Sequence, residues 1–152
     1  MNEWLNAHGL PYDPRSTIAA WRNGDALAGQ ALFEQLYHQG TVNSASYAAA
    51  GGIVDMIVAA ASPDWTAYAL LASIEEGRLN VSNPVLPPEL EGPYRDAWRK
   101  VLPKALADLV DASDDPTVRS VLAVVAYGKG QLSIASFALC TEDERLEMLG
   151  AA

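Results

Sequence analysis

The chain has 152 residues, 50% of them hydrophobic, and a formal net charge of -9. That length fits one domain over residues 1–152 with a core of its own, and the apolar content excludes a disordered acidic tail. The excess of acid sets the surface against phosphate backbones, so nucleic acid is excluded as an expected partner, and the single cysteine, Cys140, leaves no internal disulfide to form.

The first ten residues carry Glu3, Asn6 and His8 and no basic region ahead of an apolar stretch. No secretory signal is expected there, and the expected location is the cytoplasm. Asp13-Pro14 opens the first predicted helix: the carboxylate can take a free amide, and proline at the first helical position needs no hydrogen bond. This helix runs through Ile18 and Trp21 to Asn23-Gly24. From Asp25, the positions Leu27, Ala31, Leu32 and Leu36, with Phe33 alongside, predict a second amphipathic helix ending by Gly40.

After Leu36-Tyr37-His38-Gln39-Gly40-Thr41-Val42-Asn43 comes the most apolar run, Ser44 to Ala61, in which only Ser44, Ser46 and Asp55 are plainly polar. A helix with so little polar surface needs protein on most sides, so it is expected at the centre of the fold. Gly51 and Gly52 each weaken it by about 1 kcal/mol relative to Ala, which points to close backbone packing there. Asp55 and the bulk of small residues argue against a membrane span.

Ser62-Pro63 repeats the start signal for a helix with Trp65, Tyr68, Ala69 and Ala72 inward. It closes on Glu75 and Glu76, at the end where the helix dipole disfavours acids, which marks both as candidate exposed binding charges. Leu79 to Pro93 holds four prolines and predicts a loop of about 15 residues, serving either as a strap over the core or as a binding loop. The helical pattern returns at Tyr94 with Trp98, Val101, Leu102, Ala105, Leu106 and Leu109, and Pro103 is expected to kink it near Arg99. Asp108, Asp111, Asp114 and Asp115 make its end and the next turn acidic. Asp115-Pro116 then opens a helix with Val118, Val121, Leu122 and Val125 as its stripe and Asp115 as its cap, and short helices follow over 131–139 and 142–149.

The starts at Pro14, Pro63 and Pro116 lie roughly 50 residues apart, just above the ~40–47 residues of HEAT and armadillo units. The expected fold is therefore all-α: a short, curved stack of helical hairpins in one domain. Asp114-Asp115-Pro116-Thr117-Val118-Arg119, followed by an Ala and Val helix, resembles the Asp-x-x-Val-Arg signature of HEAT repeats. His38-Gln39-Gly40-Thr41 before an apolar helix is similar to a group of bacterial HEAT-like proteins. Together these cover about two thirds of the chain in short pieces, from Ala31 to Gly128. The resemblance implies a HEAT-like α-solenoid that binds proteins, in a group that includes immunity partners of secreted toxins, and it implies a bacterial protein.

Motifs for chemistry are sparse. His8 and His38 are the only histidines, with no metal-ligand spacing, and Gly128-Lys129-Gly130 lacks a phosphate-loop pattern. No catalytic residue, cofactor or metal is expected. His38 is expected to fix the turn through hydrogen bonds of its ring. The expected function is non-enzymatic binding, as an immunity protein neutralising a basic toxin or effector, with Glu75, Glu76, Glu89, Glu91, Asp108, Asp111, Asp114 and Asp115 as contacts. The alternative is an adaptor subunit joined to a larger assembly through Trp4, Trp65, Trp98 and the apolar loop.

Overall fold

A computed structural model describes residues 3–150; Met1, Asn2, Ala151 and Ala152, part of the expected domain, lie outside the described residues. Eight helices follow in order: α1 (Arg15–Arg22), α2 (Ala28–Leu36), α3 (Ser44–Ala59), α4 (Trp65–Leu79), α5 (Pro88–Asp111), α6 (Asp115–Gly128), α7 (Leu132–Leu139) and α8 (Glu142–Met148). No strand occurs among the described residues beyond two isolated bridges, Leu5 with Pro11 and His38 with Thr41. The chain is all-α, and none of the described helices is long and apolar enough to cross a membrane.

The helices pack as successive hairpins, α1 on α2, α3 on α4 and α5 on α6. Along the stack α1, α3 and α5 form one row and α2, α4 and α6 the other, with α7 laid against α6 and α4. One apolar cluster runs through α1 to α7. Its centre is shared. Ala45, Ala49, Ala50, Ile53 and Val54 of α3 are buried as expected, but Tyr68, Leu70, Leu71, Ala72 and Ile74 make α4 equally central. Because α4 meets α2, α3, α6 and α7, burial reaches most of its circumference. The stripe expected on Trp65 and Ala69 is only a fraction of it, and Trp65 itself is exposed.

Local chemistry sets the helix ends. Asp13 Oδ1 accepts the Arg15 amide at 3.0 Å, as the Asp-Pro start implies. At α3, Asn43 Oδ1 accepts the Ser44 amide at 2.8 Å, while Ser46 Oγ accepts the Asn43 amide at 3.1 Å and donates to the Leu36 carbonyl at 2.6 Å. That buried serine therefore ties the end of α2 to the start of α3. At α4 the cap is Asp64, whose carboxylate takes the Thr66 amide, and not the expected Ser62. At α6 it is Asp114, bonded to the Thr117 amide and hydroxyl, and not Asp115. In both cases the acid nearest the first free amides wins the capping position.

Other expectations shift by part of a turn. Leu27 and Ala31 are exposed, and α2 buries Ala28, Gly29, Leu32 and Leu36 instead. The inner face of α6 is Thr117, Ser120, Val121, Val124 and Tyr127, leaving Leu122 outside. Gly52 does mark a close approach, since a Cβ there would lie 3.0 Å from Ile18 Cδ1, whereas Gly51 faces open space.

The expected loop over 79–93 contracts to residues 80–87. Pro88 stands at the start of α5, where its missing amide is harmless, and Pro93 and Pro103 both lie inside the helix. Pro103 removes the amide that would bond the Arg99 carbonyl. The shortened loop is held by its neighbours: Tyr47 donates its hydroxyl to Pro84 O at 2.6 Å, and Asn83 Nδ2 donates to Gly40 O at 2.8 Å and to Gly77 O at 2.7 Å. Leu86 and Leu90 pack on the core, while Val81 is 99% exposed and Val85 also points outward. It is a strap, fastened at both ends.

Candidate functional site

The eight acids expected as contacts divide into three environments. Glu75 and Asp108 are buried, correcting their expected exposure. Glu75 is 9% exposed; it accepts two hydrogen bonds from Arg78, at 2.7 and 2.8 Å, and one from the Tyr94 hydroxyl at 2.6 Å. Burial first, and the Glu75 charge second, push the Tyr94 phenol well above its ordinary range. Asp108 is 8% exposed; it accepts from the Tyr68 hydroxyl at 2.7 Å and from Lys104 Nζ at 2.9 Å, linking α4 to α5. Both acids hold the stack together from inside.

Glu89 and Glu91 are exposed on the first turn of α5, where the helix dipole favours acids, and not on a loop. Asp111, Asp114 and Asp115 are exposed around the start of α6. The Thr117 hydroxyl and amide hold the Asp114 carboxyl below the usual range. Asp115 pairs with Arg119 at 3.2 Å and with Arg145 of α8 at 2.7 Å. Arg119 also donates to Leu139 O at 2.8 Å, so the arginine of the Asp-x-x-Val-Arg stretch joins its own helix to the end of α7. Arg145 brings in the acids of α8, which include Glu142, Asp143 and Glu147. Through Asp115 they are joined to the exposed acids around the start of α6, and this acid-rich region is the acidic end of the molecule.

Glu76 lies elsewhere. It faces a groove of about 450 Å³ lined by Tyr37, Gln39, Gly40, Glu76, Gly77, Leu79, Asn80, Tyr127, Leu132 and Ser136. Tyr37 follows the last residue of α2, Glu76 to Leu79 are the last residues of α4, and Tyr127 is next to last in α6. The groove therefore sits where the even row of helices ends. Its rim is a tight turn in which the His38 amide donates to Thr41 O at 3.0 Å and the Thr41 amide to His38 O at 2.8 Å. Gln39 and Gly40 take φ of 48° and 86° at the two central positions, the left-handed pair of a type I′ turn. His38 fixes this turn through its backbone, not through the ring hydrogen bonds expected of it. Its exposed ring lies against that of His8, with centroids 4.8 Å apart and the planes tilted by 46°.

Burial raises the Glu76 carboxyl above its ordinary value, opposed among the described residues by a long 3.5 Å hydrogen bond from Ser136 Oγ. Tyr37 is raised by burial and then by the Glu76 charge, and Tyr127 is pushed up to about 12, mainly by burial. A carboxyl with a raised folded-state value binds its proton more tightly when folded. Stability from that group is fully present below the unfolded value near 4.5 and is lost as pH rises through the folded value. Glu76→Gln is accordingly expected to stabilise the protein at neutral pH by on the order of 0.5 kcal/mol. Thermal melts of both proteins across pH check this: the gap should close below about pH 4.5, and a less stable variant at neutral pH would contradict it.

Gln39 and Gly40 belong to the His-Gln-Gly-Thr turn, which is expected to be structural, while Tyr127 and Ser136 carry no motif, and none of them, nor Tyr37, is among the expected contacts. The available signal was positional. Glu76 directly precedes Gly77 and Tyr127 directly precedes Gly128, and Tyr37 stands three residues before Gly40, so each lies close to a glycine near a helix end. No group of three or more His, Cys, Asp or Glu placed to hold a metal occurs among the described residues. Compared with known proteins, the chain matches no family model, no curated protein and no solved structure at a significant level.

Proposed function

We propose that the chain is a non-enzymatic binding module for a basic protein partner and, following its resemblance to HEAT-like immunity proteins, that it neutralises a basic bacterial toxin or effector by direct contact. The observation that carries this reading is the acidic end, where Asp111, Asp114 and Asp115 lie exposed around the start of α6 and the Arg145 bridge joins Asp115 to the acid-rich α8. With a net charge of -9 behind it, such a surface accelerates encounter with a cationic partner. The test is a pull-down from the native cytoplasm with the tagged chain, followed by association kinetics on any stoichiometric partner. The association rate is expected to fall at least tenfold between about 0.05 and 0.5 M salt, and Asp111→Lys to slow it further. A rate indifferent to salt would remove the electrostatic reading.

A second reading, an adaptor subunit, is favoured by the apolar residues that α7 and α8 leave exposed: Leu132, Ile134 and Phe137 on the first, Leu146 and Met148 on the second. An assembly formed through these would survive high salt and contain several subunits.

A further inference from the structure

We propose that the groove at the ends of α2, α4 and α6 receives an arginine side chain of the partner protein, its guanidinium paired with the Glu76 carboxylate and its stem lying along Tyr37 and Tyr127. This rests on the binding-module reading above in one respect, that the arginine belongs to a protein.

The first argument is a contrast among acids of the same chain. Glu75 and Asp108, the two buried carboxylates, each have a cation at 2.7 and 2.9 Å respectively. Glu76 is half-buried beside Glu75 in sequence, and none of the ion pairs among the described residues includes it. Lys129, the residue that caps α6 at the same end, is exposed and makes no ion pair. A carboxylate drawn out of water with no cation beside it is destabilising, and a cation arriving from outside removes that cost.

The second argument is the backbone around it. Three helices, α2, α4 and α6, bring their C-terminal ends to this groove, and each such end carries roughly half a negative charge. Leu132, the first residue of α7, also lines the groove, so one positive helix end opposes these three; the balance stays negative and adds to the charge of Glu76. A phosphate or carboxylate ligand would be repelled, and a neutral one would leave Glu76 desolvated and unpaired.

The lining then selects among cations. Two tyrosines flank the approach, and aromatic faces attract guanidinium more often than ammonium. The planar fork of arginine gives a carboxylate two parallel hydrogen bonds, where lysine offers a point charge. The volume of about 450 Å³ is ample for a side chain with its stem, and the groove is open to solvent along one side, so a residue carried on a protein surface can enter.

The test is a titration of the isotope-labelled full chain, followed by amide NMR shifts. The probes are a short blocked peptide with a single arginine, the same peptide with citrulline, which keeps the shape and lacks the charge, and free arginine amide. The arginine peptide is expected to move the amides of Gln39, Gly40, Gly77 and Asn80. Citrulline in the peptide, or Glu76→Gln in the protein, should each weaken binding at least tenfold, and Glu76→Asp should weaken it less than Glu76→Gln. Equal affinity of the citrulline peptide, or an unmoved groove, overturns the proposal. Shifts confined to Asp111, Ser113 and Asp143, at the other end of α6 and roughly 18 Å away, would overturn the groove while leaving the acidic-end reading intact. Free arginine amide binding as tightly as the peptide would overturn the protein source in favour of a small cation. Salt-independent association of the whole partner would remove the acidic-end reading and leave the groove standing.

Discussion

Asp108→Ala is expected to lower the free energy of unfolding by about 3 kcal/mol, measured by urea denaturation at neutral pH. The carboxylate is the shared acceptor for the hydroxyl of Tyr68, which has no exposed surface, and for the Lys104 ammonium. Truncation removes both bonds at once. Tyr68 is then left with a buried hydroxyl and no acceptor, while Lys104, with 22% of its side chain exposed, can turn partly to water. Tyr68→Phe alone should cost about 1 kcal/mol, and the double variant should cost less than the sum of the two, because the phenylalanine removes the group that Asp108→Ala strands. A loss below about 1 kcal/mol for Asp108→Ala would mean that the α4–α5 contact does not depend on this carboxylate.

Glu75→Ala is expected to cost a similar amount, about 3 kcal/mol, by stranding Arg78 and the hydroxyl of the buried Tyr94. The informative comparison is with its neighbour. Glu75 and Glu76 are adjacent acids on one helix, yet replacement of the first should destabilise and Glu76→Gln should stabilise. Their side chains leave α4 in different directions: one enters the Arg78 and Tyr94 network, the other the open groove. Chemical denaturation of both variants gives the two signs directly, and the same sign for both would mean that the two side chains share one environment. For partner binding the order reverses, with a folded Glu75 variant keeping its affinity and Glu76→Gln losing it.

Much of the architecture was readable from punctuation. Asp13-Pro14 and Asp115-Pro116 open helices where expected, and the last two helices fall within a residue of the expected bounds, because proline and capping groups act locally. The reading weakened where neighbours override local signals. The proline density of 79–93 implied a long loop, but Pro88 occupies the first helical position, where its missing amide is harmless, and α5 runs on through Pro93 because Tyr94, Ala97 and Val101 anchor it on the core. The acids were harder still. Nothing in Glu75-Glu76 or Asp108 distinguishes a buried carboxylate from a solvated one, since burial depends on Tyr94 and Tyr68 arriving from 19 and 40 positions away. The groove was invisible for the same reason: its lining comes from the ends of α2, α4 and α6, in three hairpins, and from α7.

The two-row stacking also bears on how the protein comes apart. Each hairpin packs mainly on the next, so the α1–α2 pair is held by α3 and α4 and has little stake in α5 and α6. Such an array opens from its ends, one unit at a time, and amide exchange should be fastest in α8, which buries no residue, next fastest in α1, and slowest in α4. The groove is the exception to this nearest-neighbour order, because the turn after α2, the end of α4 and the end of α6 all line it. Whatever fills it clasps three hairpins together, so occupancy converts stepwise fraying into a single cooperative opening.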